Sequence, residues 1–173
     1  METMKAIAVR QSVRKFKKDQ IPDDVLETIL KAGSAAPVGL GAFDSLHFTV
    51  IQNQEILNRI SENAAEALGQ PGASIIYNAP TLIVISSKKH EIEGLAQANT
   101  GCTAENMLIA AADAGLGSIY LLYPIFAFND ESKLAEEIGI PEGFSFIGSV
   151  ALGYSEDALT ERELQHKISF NRI

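Results

Sequence analysis

Arg10, Ser12 and Arg14 stand at alternate positions near the amino end, in the run Arg10-Gln11-Ser12-Val13-Arg14-Lys15-Phe16. In an extended chain, successive side chains point to opposite sides, so these three would share one side. Two guanidinium forks and a hydroxyl together suit an anion such as a phosphate, which a guanidinium can grip through two N–H groups at once. Two arginines and a serine within five residues also recur by chance in a solvated basic segment, so both readings stand at this point. The charge distribution adds to the pattern. The chain carries 14 Lys+Arg and 22 Asp+Glu, a net −8. Residues 1–18 hold six bases (Lys5, Arg10, Arg14, Lys15, Lys17, Lys18) against Glu2, a local +5 that leaves −13 for the rest. Such an acidic chain is ill suited to binding nucleic acid through its phosphates, whereas its basic segment can hold a small anion.

Other chemistry is sparse. His47, His90 and His166 show no ligand spacing with one another or with Cys102, so no metal centre is expected. His47 reads as a strand-edge residue and His90 as a loop residue. The single cysteine excludes an internal disulfide and a cysteine-cluster metal site. It falls in an apolar helix, where it reads as a small buried hydrophobe. Gly39-Leu40-Gly41 and Gly115-Leu116-Gly117 both lack the third glycine of a dinucleotide fingerprint. No Walker A sequence occurs, no zinc-protease helix motif follows His90-Glu91, and there is no nucleophile elbow.

The elements that must position the basic segment can be read from periodicity and punctuation. At 173 residues and 18.6 kDa the chain suits one domain over 1–173. Its 46% hydrophobic and 21% charged residues suit a packed chain rather than a disordered one. No apolar run reaches ~18 uncharged residues and the first residues lack a signal-peptide layout, so a soluble, cytoplasmic protein without membrane contact is expected. Pro22, Asp23 and Asp24 open a helix with Val25, Leu26, Ile29 and Leu30 as its apolar stripe and Gly33 near its end. Residues 33–45 read as a loop, 47–51 as a strand, and Ile56, Leu57, Ile60 and Ala64 as the stripe of a second helix ending before Gly69. Thr81 to Ile85 is apolar throughout, as a strand covered on both faces would be. Leu95 to Ala114 is alanine-rich with Glu105 and Asp113 as its charges, which predicts a helix buried all round, one side of it by a partner subunit. Strands follow at Ser118–Tyr123, stopped by Pro124, and at Phe144–Leu152. A short helix lies between them at about 130–138, and a polar tail runs from Gly153 to Ile173. Strands separated by helices indicate an α/β or α+β sheet domain.

The Arg10–Phe16 segment resembles the N-terminal flavin-phosphate motif of the nitroreductase family of FMN-dependent oxidoreductases. Ala32-Gly33-Ser34-Ala35-Ala36-Pro37 is similar to that family's loop entrance, and Ala104 through Ser118 to its central dimer helix and turn. Ile138-Gly139-Ile140-Pro141-Glu142-Gly143 followed by Val150-Ala151-Leu152-Gly153-Tyr154 is similar to its closing strand. The resemblance implies an α+β, three-layer α/β/α fold with a mostly antiparallel sheet, built as an intertwined homodimer with FMN at the interface. It implies that Arg10, Gln11 and Ser12 hold the phosphate and ribityl end, and that Arg14 lies near the N1/O2 edge of the ring. Pro37, Val38 and Gly39 would pass beside the ring, and Leu122 and Tyr123 would face N5, with ordinary core or interface an equal reading for Tyr123. Arg162 and Lys167 would close the phosphate site. The implied reaction is ping-pong. NAD(P)H gives a hydride to flavin N5, and an electron-poor acceptor such as a nitroaromatic or quinone then takes the electrons, with no catalytic side chain required. Reductive dehalogenation, flavin breakdown and non-catalytic flavin binding are the alternatives on the same fold. The loop 38–46 departs from the family by lacking its asparagine-glutamine-proline-tryptophan stretch, and the chain is compact, without the insertions that roof larger relatives.

Overall fold

The computed structural model describes residues 2–128 and 133–173. Strand β2 (Thr81–Lys88) is buried from Thr81 through Ser87, as its unbroken apolar start requires. The two-residue period of a strand divides its side chains. Leu82 and Val84 enter one apolar cluster, Ile83 and Ile85 a second one on the opposite face. β1 (Leu46–Ile51) and β4 (Phe144–Gly153) pair on either side of it, and β3 (Gly117–Leu121) pairs with the far side of β4. Every ladder in the order β1-β2-β4-β3 is antiparallel, with a register shift between Ile85 and Ser86.

Helix α3 (Gln54–Ala67) covers the Leu82/Val84 face with Leu57, Ile60 and Ala64. It starts where Asn53 caps it, the side-chain oxygen accepting from the N–H groups of Glu55 and Ile56 at 3.0 and 3.1 Å. Helices α2 (Asp23–Ser34) and α4 (Leu95–Asp113) cover the other face with Ile29, Met107, Leu108 and Ala111. Fully burying one such Leu, Ile or Met side chain contributes about 1.5–3 kcal/mol, so the two clusters hold the three layers together. This is an α/β/α arrangement with an antiparallel sheet.

The helix ends follow their glycines. Gly115, at φ +76°, lets the N–H of Leu116 reach the carbonyl of Ala111 at 2.8 Å, and Gly139 does the same after α5 (Leu134–Glu137). Gly33 is different. It lies inside α2, and a Cβ there would overlap the Met107 side chain, so its role is the close approach of α2 to α4. The loop therefore starts after Ser34, and it contains two short 3-10 turns, Gly39–Gly41 and Phe43–Ser45.

The structure corrects one expectation and adds to two others. β3 ends at Leu121, because Tyr123–Ala127 forms a 3-10 turn with Pro124 in its first positions. An N-terminal helix, α1 (Thr3–Val9), was not anticipated. This chain alone buries one side of α4: Asn99, Thr103, Met107 and Ala111 are buried, while Ala98, Gly101, Cys102 and Glu105 are exposed, the side for which the sequence predicts a partner subunit. Arg10 reaches that side through Glu105. Of the helix expected at 130–138, residues 130–132 lie outside the described residues and α5 is the remainder. Among the described residues, no helix is long and apolar enough to cross a membrane.

Candidate functional site

β3 is an edge strand, and the Arg10–Arg14 segment runs along its open side. Ser12 forms a parallel bridge with Ser118, and the Val13 N–H donates to the Ser118 carbonyl at 3.0 Å. Val13 turns inward and packs on Gly117, where a Cβ would collide with it. Alternation then sends Ser12 and Arg14 outward, and both are exposed. Arg10 is partly covered, with Nε 3.5 Å from Oε1 of Glu105 on α4. Arg14 donates from Nη1 to the Ser12 carbonyl at 3.3 Å and lies 5.9 Å above the Tyr77 ring. Gln11 is half-buried. Beyond the arginines the chain is clamped to the strand leaving β4: the Lys17 N–H donates to the Tyr154 carbonyl at 2.8 Å and the Glu156 N–H to the Lys15 carbonyl at 3.1 Å. The segment is thus held on two sides, and the outward row of two guanidiniums and a hydroxyl fits a phosphate monoester.

The tail returns to the same place by another route. Arg162 donates from Nε to the Ala8 carbonyl at 3.1 Å, and from Nη2 to the carbonyls of Ile7, at 3.1 Å, and Arg10. A cation on the open carbonyls at the end of α1 meets both their hydrogen-bonding need and the helix dipole. Arg162 thus holds the backbone at the start of the Arg10–Arg14 segment. Lys167 is exposed in the tail beside Arg162 to Ile168, with no described contact to Arg10–Arg14.

The second part of the site is the loop after α2. Pro37 is exposed and Val38 half-buried, while the Gly39 N–H donates to Oδ1 of Asn99 on α4 at 2.8 Å. A Cβ at Gly39 would run into Leu95 and crowd Asn99, so the missing side chain is what seats the loop on the helix. Next to it a cleft of about 340 Å³ opens among Ser34, Val38, Phe43, His47, Phe48 and Thr103. The loop and Arg10 meet α4 at residues 99 and 105. That spacing separates the two contacts by about 9 Å along the helix axis. Leu122 and Tyr123 follow the end of β3, the direction in which Ser12 to Arg14 also runs. They are 52% and 60% exposed, so Tyr123 is not core in this chain.

Sequence reasoning missed three participants. Glu105 was noted as a rare charge on α4, which was the available signal for its contact with Arg10. Asn99 gave no signal, since a lone asparagine in an apolar helix has many uses. Tyr77 gave none either: it lies under Arg14, and both it and Asn78 have φ of +56°. Two successive non-glycine residues in the left-handed region are strained. Ser74 holds the turn, accepting from the Asn78 N–H and donating to Asn78 Oδ1, each at 3.0 Å.

Residues 7–154 match the model of the nitroreductase family. A protein of Archaeoglobus fulgidus with the provisional name NADH dehydrogenase/NAD(P)H nitroreductase is 33% identical over 177 residues, which cover 99% of this chain and 96% of that protein. An NADPH-flavin oxidoreductase of Vibrio harveyi is 23% identical over 89% of this chain and 66% of its own. A nitroreductase from Bacteroides fragilis, crystallised with bound FMN, superposes with a TM-score of 0.86 at 28% identity, covering 99% of this chain and 100% of that one.

Proposed function

The chain belongs to the nitroreductase family, and we propose that it is an NAD(P)H-dependent flavin oxidoreductase whose cofactor is FMN, held by the outward face of the Arg10–Arg14 segment. The observation that carries the cofactor assignment is that face itself, with Ser12 and Arg14 exposed beside a partly covered Arg10 on the edge of β3. Its donors suit a dianionic phosphate, and the glycine that lets the Val38–Gly39 backbone sit against α4 suits a flat ring beside that backbone. Bound FMN would supply the redox chemistry, taking a hydride from NAD(P)H and passing electrons to an electron-poor acceptor such as a nitroaromatic or a quinone.

The chain's own residues have simpler tasks. Arg10, with Ser12 beside it, binds the phosphate and ribityl end through charge-assisted hydrogen bonds. Arg14, further along toward Leu122, places a cation where negative charge develops on the ring, and the Tyr77 ring below fixes its height. Pro37, Val38 and Gly39 line the ring with backbone. Leu122 and Tyr123 present an exposed apolar surface beside the transfer site. Hydride transfer needs no side-chain acid or base, so no catalytic residue is assigned.

The exposed side of α4, with Ala98, Gly101 and Cys102, supports a homodimer in which a second copy covers that side and the cofactor lies between the two. The lone cysteine and the use of NAD(P)H support a cytoplasmic setting. The test is a visible spectrum of the purified protein, followed by NADH and NADPH oxidation with menadione or a nitrofuran as acceptor. Flavin bands and turnover are expected. Colourless protein that takes up no added FMN overturns the proposal, and bound flavin without turnover replaces the enzyme by a flavin-binding protein.

A further inference from the structure

Asn99 has a hydrogen-bonding group that the fold leaves unused. The residue is 3% exposed; its Oδ1 accepts from the Gly39 N–H at 2.8 Å, while its Nδ2 is buried without a partner. A buried donor without an acceptor is costly, so an apolar residue would serve the core better at this position. The loop that Asn99 holds has little else to fix it. Turn bonds join Gly41 to Val38, Ala42 to Gly39 and the buried Ser45 to Ala42 within the loop itself, and an exposed pair, Lys88 with Asp44 at 3.1 Å, ties its far end. Leu40 has φ of +62° and is 79% exposed. A leucine in that region is strained, and an exposed side chain supplies no packing to hold it there. The seat on α4 therefore depends on two features: the absent side chain of Gly39 and the carbonyl of Asn99 opposite its N–H.

We propose that Asn99 is a positioning residue that latches the Pro37–Gly39 backbone onto α4 and thereby sets how tightly the site holds the ring of its flavin. The proposal rests on the flavin reading above and adds a residue that the reading does not use. It makes a prediction that separates the two ends of the cofactor. Riboflavin shares the ring of FMN and lacks the phosphate, so a latch at the ring end affects both ligands equally.

The experiment titrates FMN and riboflavin by flavin fluorescence into the wild-type protein, Asn99→Leu and Asn99→Asp, and follows amide exchange at Gly39 in the flavin-free forms. Asn99→Leu is expected to weaken both ligands by the same factor, about tenfold, the scale of one lost hydrogen bond. Its Gly39 amide should also exchange faster than in the wild type. Asn99→Asp keeps an accepting oxygen for the Gly39 N–H, so it should restore the slow exchange, whereas its buried carboxylate adds a cost of its own to flavin binding. Unchanged affinities in Asn99→Leu, a loss confined to FMN, or a Gly39 amide that exchanges as fast in Asn99→Asp as in Asn99→Leu would each overturn the proposal. A wild-type protein that binds neither flavin refutes the flavin reading instead. In that case the exchange rate still decides the latch: a Gly39 amide as slow in Asn99→Leu as in the wild type refutes it.

Discussion

A guanidinium can grip a phosphate only through N–H groups that are free, and the three arginines near the amino-terminal segment differ in this respect. Arg162 spends Nε and Nη2 on carbonyls, including that of Arg10. Arg14 gives Nη1 to the Ser12 carbonyl and lies over Tyr77. Arg10 turns Nε toward Glu105, and its terminal fork has no partner among the described residues. Arg10→Ala should therefore weaken FMN by roughly 10–100-fold, the scale of a charge-assisted pair, and leave riboflavin nearly unchanged. Equal losses for both flavins in a fluorescence titration would remove Arg10 from the phosphate. Arg162→Ala acts one step back. It should release the carbonyls of Ile7 and Ala8, speed amide exchange in the tail that Arg162 anchors, and weaken FMN less than Arg10→Ala does. The contrast also explains what the sequence could reveal. Arg10, Ser12 and Arg14 share a side through strand alternation, a local property visible in five residues. Glu105, Tyr77, Asn99 and the carbonyls under Arg162 arrive through packing from 60 to 155 positions away, and no local pattern encodes that.

Helices and strands show the same division. α3 was legible because its stripe is local, and β2 because its residues are apolar on both faces. α1 was not, since Thr3–Val9 is only seven residues long and its open end is closed by Arg162 from the far terminus. Gly33 looked like a helix end, yet its cause is Met107 on another helix. Gly148 is a similar case within the sheet, because the Tyr120 ring lies across it and burial pushes the Tyr120 hydroxyl pKa up. Gly148→Ala should cost about 1–3 kcal/mol by overpacking, read from urea unfolding with an unchanged m-value. A cost near zero would mean that the ring moves aside freely. α3 and α5 are tied by Arg59 and Glu137, whose two hydrogen bonds measure 2.7 and 2.8 Å. The hydrogen bonds from Arg59, with its charge, hold the Glu137 carboxyl below the ordinary carboxylate range. A lowered folded-state value means that the stabilisation is present above the unfolded carboxylate's titration and is lost as the pH falls through the folded value. Glu137→Gln should thus lower the melting temperature slightly at about pH 7, and by progressively less as the pH falls through the folded-state value. A difference that is constant with pH would assign the effect to something other than this pair.

At the scale of the whole molecule, the open question for stability is what covers α4. One side carries Asn99, Thr103, Met107, Leu108 and Ala111 into the core, and the other leaves Ala98, Gly101, Cys102 and Glu105 exposed. Gly101 separates the two possibilities because a Cβ there meets nothing within 4 Å in this chain. If the protein works as a single chain, Gly101→Leu places a good helix former at an exposed interior helical position and gains up to about 1 kcal/mol. Stability should then rise, and sedimentation and flavin content should stay as they were. If a second copy packs its own α4 against this side, small residues allow the backbones to approach closely, and a leucine at 101 holds them apart. The expected outcome is the second one: Gly101→Leu sediments as the smaller species, and it loses flavin in step, because a cofactor held between two subunits cannot survive their separation. Cys102→Ala at the neighbouring position keeps the surface small and serves as the control, with assembly and flavin both retained. A Gly101→Leu protein that is more stable than the wild type, with an unchanged sedimentation coefficient and full flavin content, would show that this side of the helix faces water in the working molecule.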